Sequence, residues 1–307
     1  MSGAPFRTFC DVPDGTAAGD ETPPDVVILG APHGTPYRPG EASHAADAPA
    51  AIRRATDWHT GGSEQVDFDS GTVRFAGADV VDAGDLALDP ADGPANRANI
   101  EATIREVRSR GAVPLILGGD DSVPIPALAA FADQPLTVVQ IDAHIDWRDE
   151  IDGECFGFSS TMRRASEMSH VEAMVQVGAR GPGSAREADV VAARAWGVEL
   201  VTARELHRRG VSAVLDRIPH RRPIYLAIDV DGIDPTLVPG VLLPAFGGID
   251  YNQMLELIHG LEARAPIVGA SFVEYVPARD PHGLGALVIA RLVCNVIAAI
   301  GRQRASA

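Results

Sequence analysis

The chain alternates short apolar runs with segments of helical periodicity from residue 25 to its carboxyl terminus. Apolar runs of roughly four to eight residues bounded by turn residues are typical of buried strands. The predicted strands are 25–29, 79–81, 113–117, 136–141, 175–178, 199–202, 224–229 and 267–272. The predicted helices are 46–56, 95–110, one from 122, 185–196, 203–208, 251–264 and 285–300. This alternation, without repeat or linker, predicts one parallel sheet covered by helices on both faces.

The domain organisation predicted for the 307 residues is a loose amino-terminal arm, residues 1–24, and a single α/β domain, residues 25–307. The hydrophobic content of 46% is sufficient for a large core. A formal net charge of −16 argues against partners that need basic patches, namely nucleic acid and anionic membrane surfaces. The charge is compatible with a small cationic substrate, although a solvated acidic surface would also explain it.

The cysteines of the chain are Cys10, Cys155 and Cys294, which are few and far apart. They indicate neither a disulfide framework nor a zinc site, and they favour a reducing compartment. The amino terminus lacks the basic-then-apolar pattern of a secretory signal, and no uninterrupted apolar run is long enough to span a bilayer. The sequence therefore predicts a cytoplasmic protein.

Three predicted strands end in carboxylates. The acidic segments are Asp142–Asp146, with sequence DAHID, Asp229–Asp234, with sequence DVDGID, and Gly118–Asp121, with sequence GGDD. In open parallel sheets the functional crevice lies at the carboxyl ends of the strands. Alternate residues of an extended segment project to the same side, so Asp142, His144 and Asp146 can face one site. Carboxylates with one imidazole suit a pair of hard divalent cations such as Mn²⁺.

These motifs resemble those of the ureohydrolase family, which includes arginase, agmatinase and guanidinobutyrase. The family patterns Gly-Gly-Asp-His, Asp-Ala-His-x-Asp, Asp-x-Asp-x-x-Asp-Pro and Glu-x-x-Pro-x-x-Asp correspond here to segments 118–121, 142–146, 229–235 and 274–280. A block from Tyr37 to Arg53 is similar to the family's entry motif. The resemblance extends from about Val26 to the carboxyl terminus, and it rests on all motifs occurring in order.

The resemblance implies a three-layer α/β/α sandwich with an eight-stranded, mostly parallel sheet. It implies two divalent metal ions per chain, with Mn²⁺ expected and Ni²⁺ as a second candidate, and a homo-oligomer, either a trimer or a hexamer. By this resemblance, Asp142 and Asp229 would bridge both metals, His144 and Asp231 would complete one site, and Asp146 and Asp121 would complete the other. Asp146 would also transfer protons, and Glu274 would bind the substrate guanidinium. Asp120 and Asp234, which lie beside the ligands in sequence, would support them from outside.

Two departures from the family pattern are present. Asp121 stands where most relatives have a metal-binding histidine, so one metal site would consist of carboxylates alone. The alternative is that Asp121 points away and one metal is weak or absent. The stretch before Arg163 and Arg164 also lacks the histidine thought to shuttle protons in relatives. The histidines that could replace it are His33, His44, His170 and His282, although an ordinary surface or loop histidine is the better explanation for each one individually.

The leading interpretation is a metal-dependent amidinohydrolase that cleaves an agmatine-like compound or a guanidino acid to urea and an amine. A second interpretation is hydrolysis of a related C–N bond, such as a formimino group or an unusual guanidine. A third is a non-catalytic subunit that partners an active paralogue, and a fold-sharing deacetylase is a fourth. The retained acidic motifs argue against a non-catalytic subunit, and the Glu274 motif argues against a deacetylase.

Overall fold

The computed structural model describes residues 7–15, 23–58, 64–183 and 185–306. In chain order the strands are β1 (Val26–Ala31), β2 (Val66–Asp67), β3 (Thr72–Val73), β4 (Val80–Asp85), β5 (Val113–Gly118), β6 (Leu136–Ile141), β7 (Val171–Val177), β8 (Glu199–Val201), β9 (Ile224–Asp229) and β10 (Ile267–Val273). The helices are α1 (Ala48–Ala55), α2 (Gly93–Ser109), α3 (Pro124–Ala129), α4 (Thr161–Ala165), α5 (Glu187–Trp196), α6 (Ala203–Arg209), α7 (Ser212–Leu215), α8 (Tyr251–Arg264) and α9 (Leu284–Ala305).

Eight strands form the central sheet in the order β4-β1-β5-β10-β9-β6-β7-β8, and every pair of neighbours is parallel. The strands β5, β6 and β9 are buried at every position, which explains why their sequences are almost continuously apolar. The predicted fold class, an eight-stranded parallel sheet in an α/β/α arrangement, is confirmed. A small antiparallel hairpin, β2–β3, lies outside this sheet and was not predicted.

A separate hydrophobic core lies on each face of the sheet. One core contains Ile52 of α1, Leu257 of α8 and Ile289 of α9. The other contains Ile100 of α2 and Leu128 of α3. Helix α9 is long and apolar enough to cross a membrane, but most of its apolar window is buried inside the protein, and it packs as a core helix.

Strand β4 continues beyond the predicted range 79–81 to Asp85 because a buried ion pair replaces the expected apolar side chains. Asp82 is fully buried, and the guanidinium of Arg53 donates to both of its carboxylate oxygens at 2.8 and 2.9 Å. Arg53 also pairs with Asp85. A charge can be buried in a strand when its partner satisfies it, and apolar periodicity cannot detect such a position.

The described part of the predicted arm packs against the domain. Phe9 is fully buried, and its backbone N–H donates to Asp82 at 2.8 Å. The Sγ atom of Cys10 lies 3.9 Å from that of Cys294 in α9, and the two cysteines are not joined by a disulfide. Residues 7–15 are therefore not loose, whereas residues 1–6 and 16–22 of the predicted arm lie outside the described residues.

Candidate metal centre and cavity

The four central strands of the sheet carry the acidic side chains to one edge. Strands β5, β10, β9 and β6 are consecutive neighbours, so their carboxyl ends lie side by side. Asp229 ends β9, Asp142 and Glu274 directly follow β6 and β10, and Asp121 lies three residues beyond β5. Side chains far apart in sequence therefore meet where an open parallel sheet normally binds its ligands.

One group of potential metal ligands consists of Asp142, His144 and Asp231, which have ligand atoms within 4.8 Å of one another. Nδ1 of His144 lies 3.1 Å from Oδ2 of Asp231 and 3.3 Å from Oδ1 of Asp142. Burial favours neutral imidazole, but the hydrogen bond to Asp231 and the surrounding carboxylates outweigh it and raise the pKa of His144 to about 9. Without a cation, a proton on His144 balances the charge of this group.

A second group consists of Asp121, Asp142 and Asp146, again within 4.8 Å. Burial, followed by the charge of Asp146, raises the pKa values of both Asp121 and Asp142 well above the usual range. Asp146 has a φ of 47°, so the segment from Asp142 is not extended throughout. The predicted alternation is thus interrupted by a left-handed conformation at Asp146, while Asp142, His144 and Asp146 all lie in the two adjoining groups.

Asp142 belongs to both groups, whereas Asp229 belongs to neither of the groups found among the described residues. Asp229 nevertheless lines the same cavity and accepts the Asp231 N–H on Oδ1 at 2.8 Å. Burial and the charge of Asp231 raise its pKa well above the usual range. The geometry gives Asp142 a central position and leaves the bridging role of Asp229 as a prediction.

Asp121 provides the test of whether this pocket suits a cation. Its backbone N–H donates to Glu274 at 2.9 Å, and its carbonyl accepts from the Thr161 hydroxyl. Its two carboxylate oxygens, in contrast, are buried, and no described residue forms a hydrogen bond with them. Buried carboxylates are expensive unless they are paired or coordinate a metal. The donor set therefore fits divalent cations, and Asp121 faces the cavity instead of pointing away from it.

Glu274 is buried beside the two groups and is held at both of its carboxylate oxygens. Oε1 accepts the Asp121 N–H, and Oε2 lies 2.5 Å from Nε2 of His44. Its φ of 68° is unusual for a residue with a side chain and marks a backbone held in place by its surroundings. Burial raises the pKa of Glu274, although the His44 contact opposes the shift.

His44 is the one of the four candidate histidines that the structure brings to Glu274. Burial favours its neutral form, but Glu274 outweighs this effect and raises the pKa of His44. His33 is near the Ser43 amide and His170 contacts the Leu128 carbonyl, while His282 is exposed. The position of His44 in the Tyr37–Arg53 block that resembles the family's entry motif was a sequence signal, but its partner lies 230 residues away and was not predicted.

The hydrogen bonds of Asp120 and Asp234 are local. Asp120 accepts from the hydroxyl and amide of Ser122, and Asp234 accepts from Thr236 and from the amides of two glycines, so neither contacts a ligand carboxylate through these bonds. The hydroxyl of Ser122 accepts the Thr35 N–H at 2.7 Å, so it does not cap α3. The outer support expected of Asp120 and Asp234 stays a prediction.

A buried amide chain takes the expected outer role. Trp147 Nε1 donates to Gln176 at 2.9 Å, and Gln176 Nε2 donates to Gln140. Nε2 of Gln140 then donates to Asp142 at 2.6 Å and to Asp146 at 3.2 Å. The series of donors from Trp147 to Gln140 ends at the carboxylates, while Gln176 Nε2 also donates to the Ile145 carbonyl at 2.8 Å. Outer hydrogen bonds of this kind orient metal ligands. Gln140 precedes Asp142 by two residues in an apolar strand, a polar interruption that was the available signal.

Arg180 fixes the loop that contains Asp231. Its Nη2 donates to the Asp231 carbonyl at 2.6 Å and to the Ala245 carbonyl at 2.8 Å, and its Nη1 donates to the Gly232 carbonyl at 3.1 Å. The sequence left open whether this residue lines the pocket or an interface. In the structure it supports the ligand loop through backbone oxygens.

Members of both ligand groups line a cavity of about 240 Å³, whereas Asp142 is buried behind them. The lining contains Asp121, His144, Asp146, Asp229, Asp231 and Glu274, together with Trp147, Phe158 and Leu243. Arg148, Arg186 and Asp189 also line it. The arrangement combines possible cation ligands, a buried carboxylate for a cationic group, and apolar walls for a short chain.

Comparison with known proteins agrees with this geometry. Residues 24–299 match the family model described as "Arginase family". Proclavaminate amidinohydrolase of Streptomyces clavuligerus is 33% identical over 282 residues, covering 89% of this chain and 87% of that protein. Its solved structure has a TM-score of 0.84, with 30% identity and 98% coverage of each chain.

Two further relatives have different names and similar identity. Guanidinopropionase of Pseudomonas aeruginosa is 33% identical over 242 residues, covering 76% of each chain. Agmatinase of Pyrococcus horikoshii is 33% identical over 254 residues, covering 81% of this chain and 83% of that protein.

Proposed function

Because this chain belongs to the arginase family of amidinohydrolases, we propose that it is a binuclear metal-dependent enzyme that hydrolyses a guanidino compound to urea and an amine. The observation that carries the proposal is the pair of ligand groups sharing Asp142, with the anionic anchor Glu274 lining the same cavity. Carboxylates and one imidazole favour hard or borderline cations, and Mn²⁺ is the metal we expect.

The residues that would hold the metals are those of the two groups together with Asp229. Asp142, His144 and Asp231 would hold one ion, and Asp121, Asp142 and Asp146 the other, with Asp229 shared. When bound, two such cations supply an activated water and stabilise developing negative charge. The guanidinium carbon needs this activation because its charge is delocalised and makes it a poor electrophile.

Glu274 would position the substrate. A carboxylate can pair with the planar guanidinium through parallel hydrogen bonds, which also orients the reacting carbon. The backbone N–H of Asp121 and the imidazole of His44 fix the orientation of Glu274. Its carboxylate is therefore already oriented to bind the guanidinium before the substrate enters. His44 is also the candidate for exchanging protons with solvent beside the bound substrate.

Asp146 would carry protons during the reaction. Hydrolysis adds the water oxygen to carbon and breaks the bond from that carbon to the substituted nitrogen. Both water protons end on the leaving nitrogen, so guanidinium and water become urea and an alkylammonium ion. Asp146 lines the cavity, and Gln140 holds its Oδ2, which suits transfer between the attacking water and the leaving nitrogen.

The test is urea release from a panel of guanidino compounds by Mn²⁺-loaded protein. We expect urea from at least one member, and none after treatment with a chelator. Ammonia from formimino compounds without urea from any guanidine would favour the second interpretation. No product from any compound at full metal loading would favour the non-catalytic one.

We also propose that the enzyme is a cytoplasmic homo-oligomer, a trimer or a hexamer. Cys10, Cys155 and Cys294 form no disulfide among the described residues, which supports a reducing compartment. The side chains of Phe68 and Phe246, which are 93% and 83% exposed, offer apolar contact surface. Light scattering that shows a monomer at micromolar concentration would contradict the oligomer.

A further inference from the structure

The lining of the cavity contains groups of both charges. The carboxylates of Asp121, Asp146, Asp229, Asp231 and Glu274 line it together with the guanidinium groups of Arg148 and Arg186. A substrate whose reacting end pairs with Glu274 therefore has these arginines available for its other end. The chemistry of the arginines decides which kind of tail is accepted.

The carboxylate of Asp189, which also lines the cavity, already interacts with neighbouring groups of the protein. Its Oδ2 lies 2.9 Å from Nη1 of Arg148 and accepts the backbone N–H of Arg186 at 2.9 Å. It also lies in the first turn of α5, where a negative charge is favoured. An ammonium group would have to compete with Arg148, with the Arg186 N–H and with the amino terminus of α5 for Asp189.

The guanidinium of Arg186 differs from the Asp189 carboxylate in its ion pairing. It is exposed and lines the cavity, and no carboxylate among the described residues forms an ion pair with its guanidinium. Arginine presents a planar fork that matches a carboxylate in two parallel hydrogen bonds. With Asp189 neutralised by Arg148, the excess charge in this part of the lining is the positive charge of Arg186.

Apolar side chains also line the cavity, among them those of Ile151, Phe158, Leu242 and Leu243. The volume of about 240 Å³ lies below the roughly 300–1,000 Å³ of sites for drug-sized ligands. It suits a guanidinium joined to a second charged group by a few methylene groups.

We propose, on the basis of the function proposed above, that the substrate is a short ω-guanidino carboxylic acid whose carboxylate is bound by Arg186, assisted by Arg148. The products are urea and the corresponding ω-amino acid. Arg186 is then a specificity-determining residue that attracts a carboxylate and repels the ammonium of an agmatine-like dication. A substrate with a neutral tail is neither attracted by Arg186, as a carboxylate is, nor repelled by it, as an ammonium group is.

The experiment compares three tails on Mn²⁺-loaded protein: 4-guanidinobutyrate, butylguanidine and agmatine. The variants are Arg186→Gln and Arg186→Glu, with Arg194→Gln as the matched control, because Arg194 is exposed on the same helix α5 and does not line the cavity. Urea release gives kcat and KM, and calorimetry gives affinities without turnover.

We expect wild type to prefer guanidinobutyrate, then butylguanidine, then agmatine. Arg186→Gln should raise KM for guanidinobutyrate by roughly five- to tenfold, as expected between an exposed ion pair and a hydrogen bond to a charged group. It should leave butylguanidine unchanged, and Arg186→Glu should shift the preference to agmatine. The Arg194→Gln control should match wild type.

A wild-type preference for agmatine, or an equal effect of Arg186→Gln on all three compounds, would overturn the inference. Failure of the proposed function has a different signature, which is the absence of urea from every guanidine. In that case the binding measurement still decides the inference, because tighter binding of guanidinobutyrate than of agmatine, lost in Arg186→Gln, supports it and the reverse order refutes it.

Discussion

Asp121 stands where the family pattern has a histidine, and both of its carboxylate oxygens are buried without a hydrogen-bond partner among the described residues. A cation would satisfy both oxygens, so we expect Asp121 to coordinate metal. Asp121→His should preserve or raise the Mn²⁺ content because it restores the ligand of most relatives, while Asp121→Ala should lower it. Elemental analysis of the purified variants measures this. A structure with two fully occupied metals and Asp121 well outside about 2.0–2.6 Å would contradict the prediction.

Glu274 is the residue that we expect to pair with the positive charge of the substrate. Glu274→Gln keeps the shape and removes the charge that pairs with guanidinium. Charged hydrogen bonds contribute about 1.5–3 kcal/mol, so kcat/KM should fall roughly ten- to hundredfold. Metal content should stay constant because Glu274 is not a predicted ligand.

Steady-state kinetics on the best guanidine of the panel provide the measurement, with the exposed Glu256→Gln on α8 as the matched control. If Glu274→Gln kept wild-type efficiency, the substrate would not be held as a guanidinium at this position. The amidinohydrolase mechanism would then lose its main chemical support.

At the scale of elements, strand β6 carries both a ligand and its support. Gln140→Leu removes the donor to Asp142 and Asp146 and leaves Gln176 without its partner. Loss of an outer hydrogen bond to a metal ligand typically reduces metal affinity by roughly 10–100-fold, and we expect a weakening of Mn²⁺ binding in this range.

Calorimetric titration of metal-free protein measures the effect, and Thr137→Val is the matched control. Thr137 is buried on the same strand, and its hydroxyl has no hydrogen-bond partner among the described residues. Unchanged Mn²⁺ affinity in Gln140→Leu would show that the amide chain does not hold the ligands.

The strands were predictable because their apolar runs and terminal acidic motifs are local features of the sequence. Strand β9 and helix α8 have the predicted bounds, since each is delimited by its own turn or cap residues. The Asp82–Arg53 pair and the contact of His44 with Glu274 were not predictable, because each depends on a partner from another part of the chain. The metal-ligand predictions rest on motif order, while the outer support and the cavity lining required the tertiary structure.

At the scale of the whole molecule, the cluster links folding stability to pH and metal. The pKa of His144 is raised from 6.5 to about 9, and those of Asp121, Asp142 and Asp229 are raised well above 3.8. In each case the folded metal-free protein binds protons more tightly than the unfolded chain does. Its stability should therefore decrease as the pH rises from 6.5 towards 9.

Bound cations replace these protons, so Mn²⁺ should raise the Tm more at pH 9 than at pH 6.5. The lowered pKa of Asp231 acts in the opposite direction, but its effect is confined to acidic pH, below its ordinary value of 3.8. Thermal unfolding with and without chelator at both pH values measures the difference. A metal-free protein that is more stable at pH 9 than at pH 6.5 would contradict this prediction.

The central claim is that two cations in the carboxylate cluster support hydrolysis of a guanidino compound. The most direct measurement is a titration of metal-free protein with Mn²⁺ in which bound metal and urea release from the best guanidine are followed together. We predict saturation at two equivalents per chain, with full activity only when the second equivalent is bound. Two bound equivalents without urea from any guanidine, or full activity in metal-free protein, would contradict the claim.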